Sequence, residues 1–144
     1  MRFLNELKIV KQKNKNKPLS ELIRILFHGT RETPPEQIAM SESGLNINYA
    51  NTNGVYGNGI YFADNAAYSQ TYAHSTRLDD QNVGKLLLCF VIVGSSPLLP
   101  PQKLKEPPKR PDGLSHDSVN GAGGSHYIIY DNNKQFPCYV ITYQ

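Results

Sequence analysis

The sequence predicts an α+β domain of short, mainly antiparallel strands packed as two sheets, with a few small helices. Three observations predict it. The apolar runs are short and strand-like, at residues 23–27, 85–93, 127–130 and 139–143. The helical signals are equally short and are broken by proline and glycine. Hydrophobic residues make up 39% of 144 residues and charged residues only 19%, so one packed core forms and a disordered chain does not.

Along the chain, residues 1–10 read as a short amphipathic helix with Phe3, Leu7 and Val10 on one side. A polar stretch rich in lysine and asparagine follows. Residues 1–18 are therefore expected to be a basic N-terminal segment, and 19–144 the domain proper. Residues 23–27 read as a buried strand ending in His28-Gly29-Thr30. Pro34 and Pro35 suit a helix opening, where a missing N–H costs nothing, and Gly44 suits its stop, near residue 43. Residues 46–54 are turn-rich and expected to be a loop.

Residues 57–62 read as a glycine turn and a strand. Asp64 is then the expected N-cap of a helix from Asn65 to about Ala73. Residues 85–93 are the expected central strand, and 97–111, rich in proline and lysine, an extended surface segment. The last two strands, 127–130 and 139–143, flank a turn containing Asp131, Asn132 and Asn133.

The net charge of +3 is mild, and Lys11, Lys13, Lys15 and Lys17 supply much of it. Such a run is ordinarily a solvated linker, though it also suits an anionic surface or nucleic acid. Cys89 and Cys138 lie in apolar runs without metal-ligand spacing and read as buried free thiols in a reducing compartment. No metal site is expected. No apolar stretch reaches the length of a membrane span, and no secretory leader is visible. The expectation is an intracellular protein, cytoplasmic or nuclear, without a membrane partner.

Three motifs carry chemistry. His28-Gly29-Thr30 places a hydrogen-bonding side chain beside a glycine whose backbone a ligand can approach. By itself this is also the pattern of a strand-end turn. Next come Tyr56-Gly57-Asn58-Gly59-Ile60-Tyr61-Phe62-Ala63-Asp64 and the helix after them. Ser69 and Tyr72 are three apart and share a helix face. With Tyr61 they can line a flat slot for a planar aromatic amide, although tyrosines here also suit a core. Last, Ser125-His126-Tyr127-Ile128-Ile129-Tyr130-Asp131 puts His126, Ile128 and Tyr130 on one strand face.

Taken together and in order, these motifs resemble the catalytic domain of the poly(ADP-ribose) polymerases, from about Ile23 onward. The Tyr-Gly-x-Gly-Ile-Tyr-Phe-Ala-Asp motif is the most specific. Residues 107–119, with Asp117-Ser118-Val119, and 136–143 look like the mono-ADP-ribosylating branch. The resemblance implies a compact ADP-ribosyltransferase fold around an NAD⁺ cleft. It implies that His28 binds the adenosine ribose and the Gly29 backbone the nicotinamide carboxamide. Tyr61 stacks on nicotinamide, Ser69 hydrogen-bonds its carboxamide, and Tyr72 closes the other side. The polar stretch 46–55 looks like the loop that covers the dinucleotide, with Tyr49 as an aromatic lid.

The implied reaction breaks the bond between nicotinamide and ribose through an oxocarbenium-like ribose, as in glycoside hydrolysis. The protein aligns NAD⁺ and shields the cation from water. The departure is His126. Polymerising members carry a glutamate there, which places negative charge near the cation and activates the growing chain. One unit charge about 4 Å away contributes roughly 4 kcal/mol at an effective dielectric of about 20, or about three decades of rate. A neutral imidazole accepts the same hydrogen bond without that charge, and a protonated one repels the cation. Chain elongation is thus not expected, and activity is expected to need neutral His126.

The expected activity is therefore mono-ADP-ribosylation, with His28, Tyr61 and His126 as the catalytic set and NAD⁺ as co-substrate. The acceptor is expected to be protein, the chain itself included, or alternatively nucleic acid. A silent NAD⁺ or ADP-ribose binder and an NAD⁺ glycohydrolase stay open. A dinucleotide-binding oxidoreductase does not fit, because Gly57-Asn58-Gly59 lacks the strand and glycine spacing of that fold.

Overall fold

The computed structural model describes residues 2–31, 33–41, 45 and 54–144. Among these the order is α1 (Arg2–Lys13), α2 (Leu19–Leu22), β1 (Ile23–His28), α3 (Pro35–Met40), β2 (Ile60–Ala63), α4 (Ala66–Gln70), β3 (His74–Leu78), β4 (Gln81–Ile92), β5 (Val119–Gly121), β6 (His126–Ile129) and β7 (Gln135–Tyr143). The fold is α+β, and the named strands pair antiparallel in the order β3-β4-β1-β2-β6-β5. β7 also pairs with β4. The expected two packed sheets are thus one hydrogen-bonded sheet that forks at β4. Leu87 pairs with His28 of β1 on one edge and Val140 of β7 on the other.

Strand alternation sorts the side chains. Leu26, Phe62, Leu87, Cys89, Val91, Tyr127 and Ile129 are buried together, with Ile38 of α3 packed among them. Ile128 and Tyr130 point the other way and join Tyr56 and Val119 in a second cluster. The last two strands are not partners. β6 lies between β2 and β5, while β7 crosses to β4.

Residues 78–81 form the turn of a hairpin. Leu78 pairs with Gln81 across Asp79 and Asp80, whose φ angles are 47° and 62°. Two left-handed central residues suit the right-handed twist of the flanking strands. α3 is shorter than expected and stops at Met40, where the Ser41 N–H donates to the Ile38 carbonyl. The expected stop at Gly44 and the loop at 46–53 lie outside the described residues.

The N-terminal helix packs onto this sheet. Val10 is buried against Leu22 and Ile92, with Phe3 and Leu7 alongside. Its end is tied to Asp117, which is 1% exposed. Lys13 Nζ reaches Asp117 Oδ1 at 2.8 Å, and Asn14 Nδ2 and the Ser95 N–H donate to Oδ2 at 3.1 and 2.9 Å. Burial raises the Asp117 pKa, but Lys13, Ser95 and Asn14 outweigh it and hold the carboxyl below its ordinary range. Lys11 also turns inward, to the Lys17 carbonyl, so half of the lysine run is not free in solvent.

Cys89 is buried, and burial pushes its thiol pKa up. Cys138, also expected to be buried, is half-buried, because β7 presents it at a margin of the sheet. Among the described residues no helix is long and apolar enough to cross a membrane.

Candidate active site

Strand pairing assembles the site. β2 lies between β1 and β6, with Phe27 opposite Ala63 and Ala63 opposite His126. Directly paired residues share a face, so Tyr61, Ala63, His126 and Ile128 project to one side. The end of β1 and the start of β6 therefore meet beside α4.

Tyr61 is fixed by the glycine turn before it. Its hydroxyl accepts from the Tyr56 N–H at 2.8 Å and donates to the Gly57 carbonyl at 2.9 Å. A Cβ at Gly54 would stand 2.1 Å from that hydroxyl, and Gly57, at φ +92°, would meet the Leu104 carbonyl at 2.0 Å. Only glycine fits either position. Burial raises the Tyr61 phenol pKa, and the nearby Tyr72 phenol adds to the effect.

α4 differs from expectation in two ways. Its cap is Asn65, whose side chain accepts from the Tyr68 N–H, while the Asp64 side chain instead accepts from the amide of Asn65. The helix also ends at Gln70, three residues short of the expected end at Ala73, so Tyr72 follows it in a turn. That turn stays tight because the Tyr72 N–H donates to the Ser69 carbonyl at 3.0 Å.

Gly29 packs against this turn. A Cβ there would come within 2.6 Å of the Ser69 oxygen and of the Tyr72 carbonyl carbon and oxygen. Backbone meets backbone, so no side chain can move aside. Gly29, Ser69 and Tyr72 are thus brought together. Ser69 is 2% exposed.

His28 alternates to the opposite face from Tyr61, where its ring lies 5.2 Å from that of Phe62. Its Nδ1 is 2.7 Å from the Tyr61 carbonyl oxygen. A carbonyl only accepts, so Nδ1 carries the proton and neutral Nε2 is left as an acceptor. Burial lowers the His28 pKa to about 4, opposed only by this hydrogen bond. His28 is neutral at physiological pH.

His126 begins β6. Its ring centroid lies 3.8 Å from that of Tyr68, at 40° between planes, and Tyr68 lies 5.3 Å from Tyr72. Burial lowers the His126 pKa, and Asp64 partly restores it. Burial, followed by a hydrogen bond with Tyr72, pushes the Tyr68 phenol up to about 12. Tyr68 is the site residue that sequence reasoning missed. The available signal was its spacing, four before Tyr72 on a helix face. Tyr49, the expected lid, lies outside the described residues.

The arrangement brings together the Gly29 backbone, Ser69, Tyr61, Tyr68 and Tyr72, and the imidazoles of His28 and His126. The model of the poly(ADP-ribose) polymerase catalytic domain matches residues 4–123. A probable poly(ADP-ribose) polymerase of Dictyostelium discoideum is 34% identical over 119 residues, covering 83% of this chain and 33% of that protein. The protein mono-ADP-ribosyltransferase PARP14 of Homo sapiens is 32% identical over 128 residues, covering 83% of this chain and 7% of its own length. This chain thus spans a third or less of these relatives. The family match includes β1, β2 and α4 and stops before His126, which is placed by its register with Ala63. Matched over most of its length, this chain belongs to the poly(ADP-ribose) polymerase catalytic domain family.

Proposed function

We propose that this chain binds NAD⁺ and transfers a single ADP-ribose unit to protein, itself included, with release of nicotinamide. The observation that carries the reading is the contact of Gly29 with Ser69 and Tyr72. That contact leaves no room for a side chain larger than hydrogen at residue 29 and fixes the Ser69–Tyr72 turn against the end of β1. In this reading NAD⁺ supplies the glycosidic bond that is broken. The Gly29 backbone and Ser69 Oγ hold the carboxamide. Tyr61, with its hydroxyl locked, and Tyr72 flank the ring. His28 Nε2 accepts from a hydroxyl of the adenosine ribose, and Tyr49 covers the dinucleotide.

His126 limits the reaction to one unit. Uncharged, it accepts a hydrogen bond from the ribose next to nicotinamide and orients it. It brings no carboxylate to activate the hydroxyl of a growing chain. The mono-ADP-ribosyltransferase name of the human relative supports the same reading.

A second reading, binding without transfer, is favoured by one observation. The His126 ring is covered by Tyr68. Nicotinamide release from NAD⁺, followed by chromatography beside a Tyr61→Ala control, separates the two. Release that depends on Tyr61 supports transfer. NAD⁺ binding without release supports the second reading, and absence of NAD⁺ binding refutes both.

A further inference from the structure

The slot leaves one strained cation unexplained. Arg31 sits at φ 56°, the left-handed region that side chains seldom adopt. Two hydrogen bonds hold it there. The Arg31 N–H donates to the Tyr72 carbonyl at 2.8 Å, and His74 Nδ1–H donates to the Arg31 carbonyl at 2.9 Å. The guanidinium carbon then lies 4.5 Å from the centre of the Tyr72 ring. Strain that the surroundings enforce is often found at functional sites.

Arg31 also lacks a counter-charge. Lys13, Arg77, Lys85, Arg110 and Lys134 each meet a carboxylate, whereas among the described residues Arg31 meets none. It borders a groove of about 610 Å³ lined by Arg31, Thr71, Tyr72, Ala73, His74 and Ser75. None of this described lining is acidic. It offers a planar guanidinium fork, the aliphatic hydroxyls of Thr71 and Ser75, the Tyr72 phenol, and an imidazole whose Nδ1 is already committed. A fork with hydroxyl donors around it matches the oxygens of a phosphate ester. Tyr72 belongs to both groove and slot, so a phosphate held here lies next to the proposed nicotinamide site.

We propose that this groove binds a phosphate ester, with Arg31 as its principal ligand. The proposal rests on the NAD⁺ reading only for what occupies the neighbouring slot. Two sources share the chemistry: the pyrophosphate of NAD⁺ itself, or a phosphate carried by the acceptor.

The test uses the whole chain and nuclear magnetic resonance of the Arg31 side-chain N–H and the His74 ring. Inorganic phosphate, NAD⁺ and nicotinamide are titrated separately into wild type, Arg31→Gln and Arg31→Lys. Saturable phosphate shifts at Arg31 and His74 are expected, weakened about tenfold in Arg31→Gln and less in Arg31→Lys, which keeps the charge but loses the fork. If Arg31→Gln also weakens NAD⁺ about tenfold, the pyrophosphate is the source. If NAD⁺ affinity is unchanged and phosphate still binds to NAD⁺-saturated protein, the acceptor is the source. Phosphate that leaves Arg31 and His74 unmoved, or binds Arg31→Gln as well as wild type, overturns the proposal. Failure of NAD⁺ and nicotinamide to bind wild type overturns the slot reading instead, whatever phosphate does.

Discussion

The ring of His126 lies 3.8 Å, centre to centre, from the ring of Tyr68. The contact joins the start of β6 to α4 and covers one side of the imidazole. It removes water from the ring, and burial is the main cause of its lowered pKa. Replacing Tyr68 by alanine is expected to return the His126 titration toward the ordinary imidazole value, while Tyr68→Phe leaves it near wild type. Losing an aromatic pair of about 1 kcal/mol also predicts about a fivefold slower nicotinamide release. Histidine carbon-bound proton shifts followed with pH check the first point. An unmoved midpoint in Tyr68→Ala contradicts the assignment.

The rate of nicotinamide release should follow the neutral fraction of His126. Because burial lowers its pKa, with Asp64 partly restoring it, His126 takes up its proton at lower pH than an ordinary imidazole. The rate is therefore expected to be level at mildly alkaline pH and to fall as the pH drops through that lowered pKa. His126→Ala should be slower and should lack this fall. A wild-type profile that stays flat through mildly acidic pH, or an unchanged rate in His126→Ala, removes His126 from the mechanism.

Gly29→Ala is a compact test of the contact between Gly29 and the Ser69–Tyr72 turn. The new methyl would stand 2.6 Å from three backbone atoms of Ser69 and Tyr72. Overpacking of this kind costs about 1–3 kcal/mol of stability, and nicotinamide binding should be lost. Calorimetric melting and titration with nicotinamide measure the two effects. An alanine variant that binds nicotinamide like wild type shows that the amide does not sit at Gly29.

His28 makes stability depend on pH in a defined window. Its folded pKa, about 4, lies below the ordinary 6.5, so the unfolded chain binds the proton more readily. This contribution is fully present above pH 6.5 and is lost as pH falls toward 4. The loss is on the order of 3 kcal/mol, from 1.36 kcal/mol per pKa unit. Urea unfolding at successive pH values should show the decline in wild type, and His28→Gln should lack that component. Equal pH slopes in the two proteins count against a buried neutral His28.

Much of this site was legible in the sequence because strands alternate with a period of two. Alternation puts His126, Ile128 and Tyr130 on one face, and the register of His126 with Ala63 and of Ile128 with Tyr61 agrees. Gly29 suits a backbone that a ligand approaches, and what the fold itself sets against it is the Ser69–Tyr72 turn, which no local pattern reveals. Tyr68 was not legible as a partner of His126. Its spacing links it to Tyr72, but only the packing of α4 against β6 brings the imidazole to it. The cap of α4 moved from Asp64 to Asn65, since either side chain suits the role locally and the β2 ending decides. The strand at His74–Leu78 was missed because its turn is Asp79-Asp80, without the glycine that usually marks such hairpins. The inward turn of Lys13 depends on Asp117, more than a hundred residues away, which no local pattern reveals.

The central claim, transfer of one ADP-ribose unit, is tested most directly by intact-protein mass spectrometry after incubation with NAD⁺, beside Tyr61→Ala. The account predicts discrete additions on wild type, each a single ADP-ribose released from its site as a monomer, and none on Tyr61→Ala. Chains of linked ADP-ribose, or an unmodified wild-type protein that releases no nicotinamide, would contradict it.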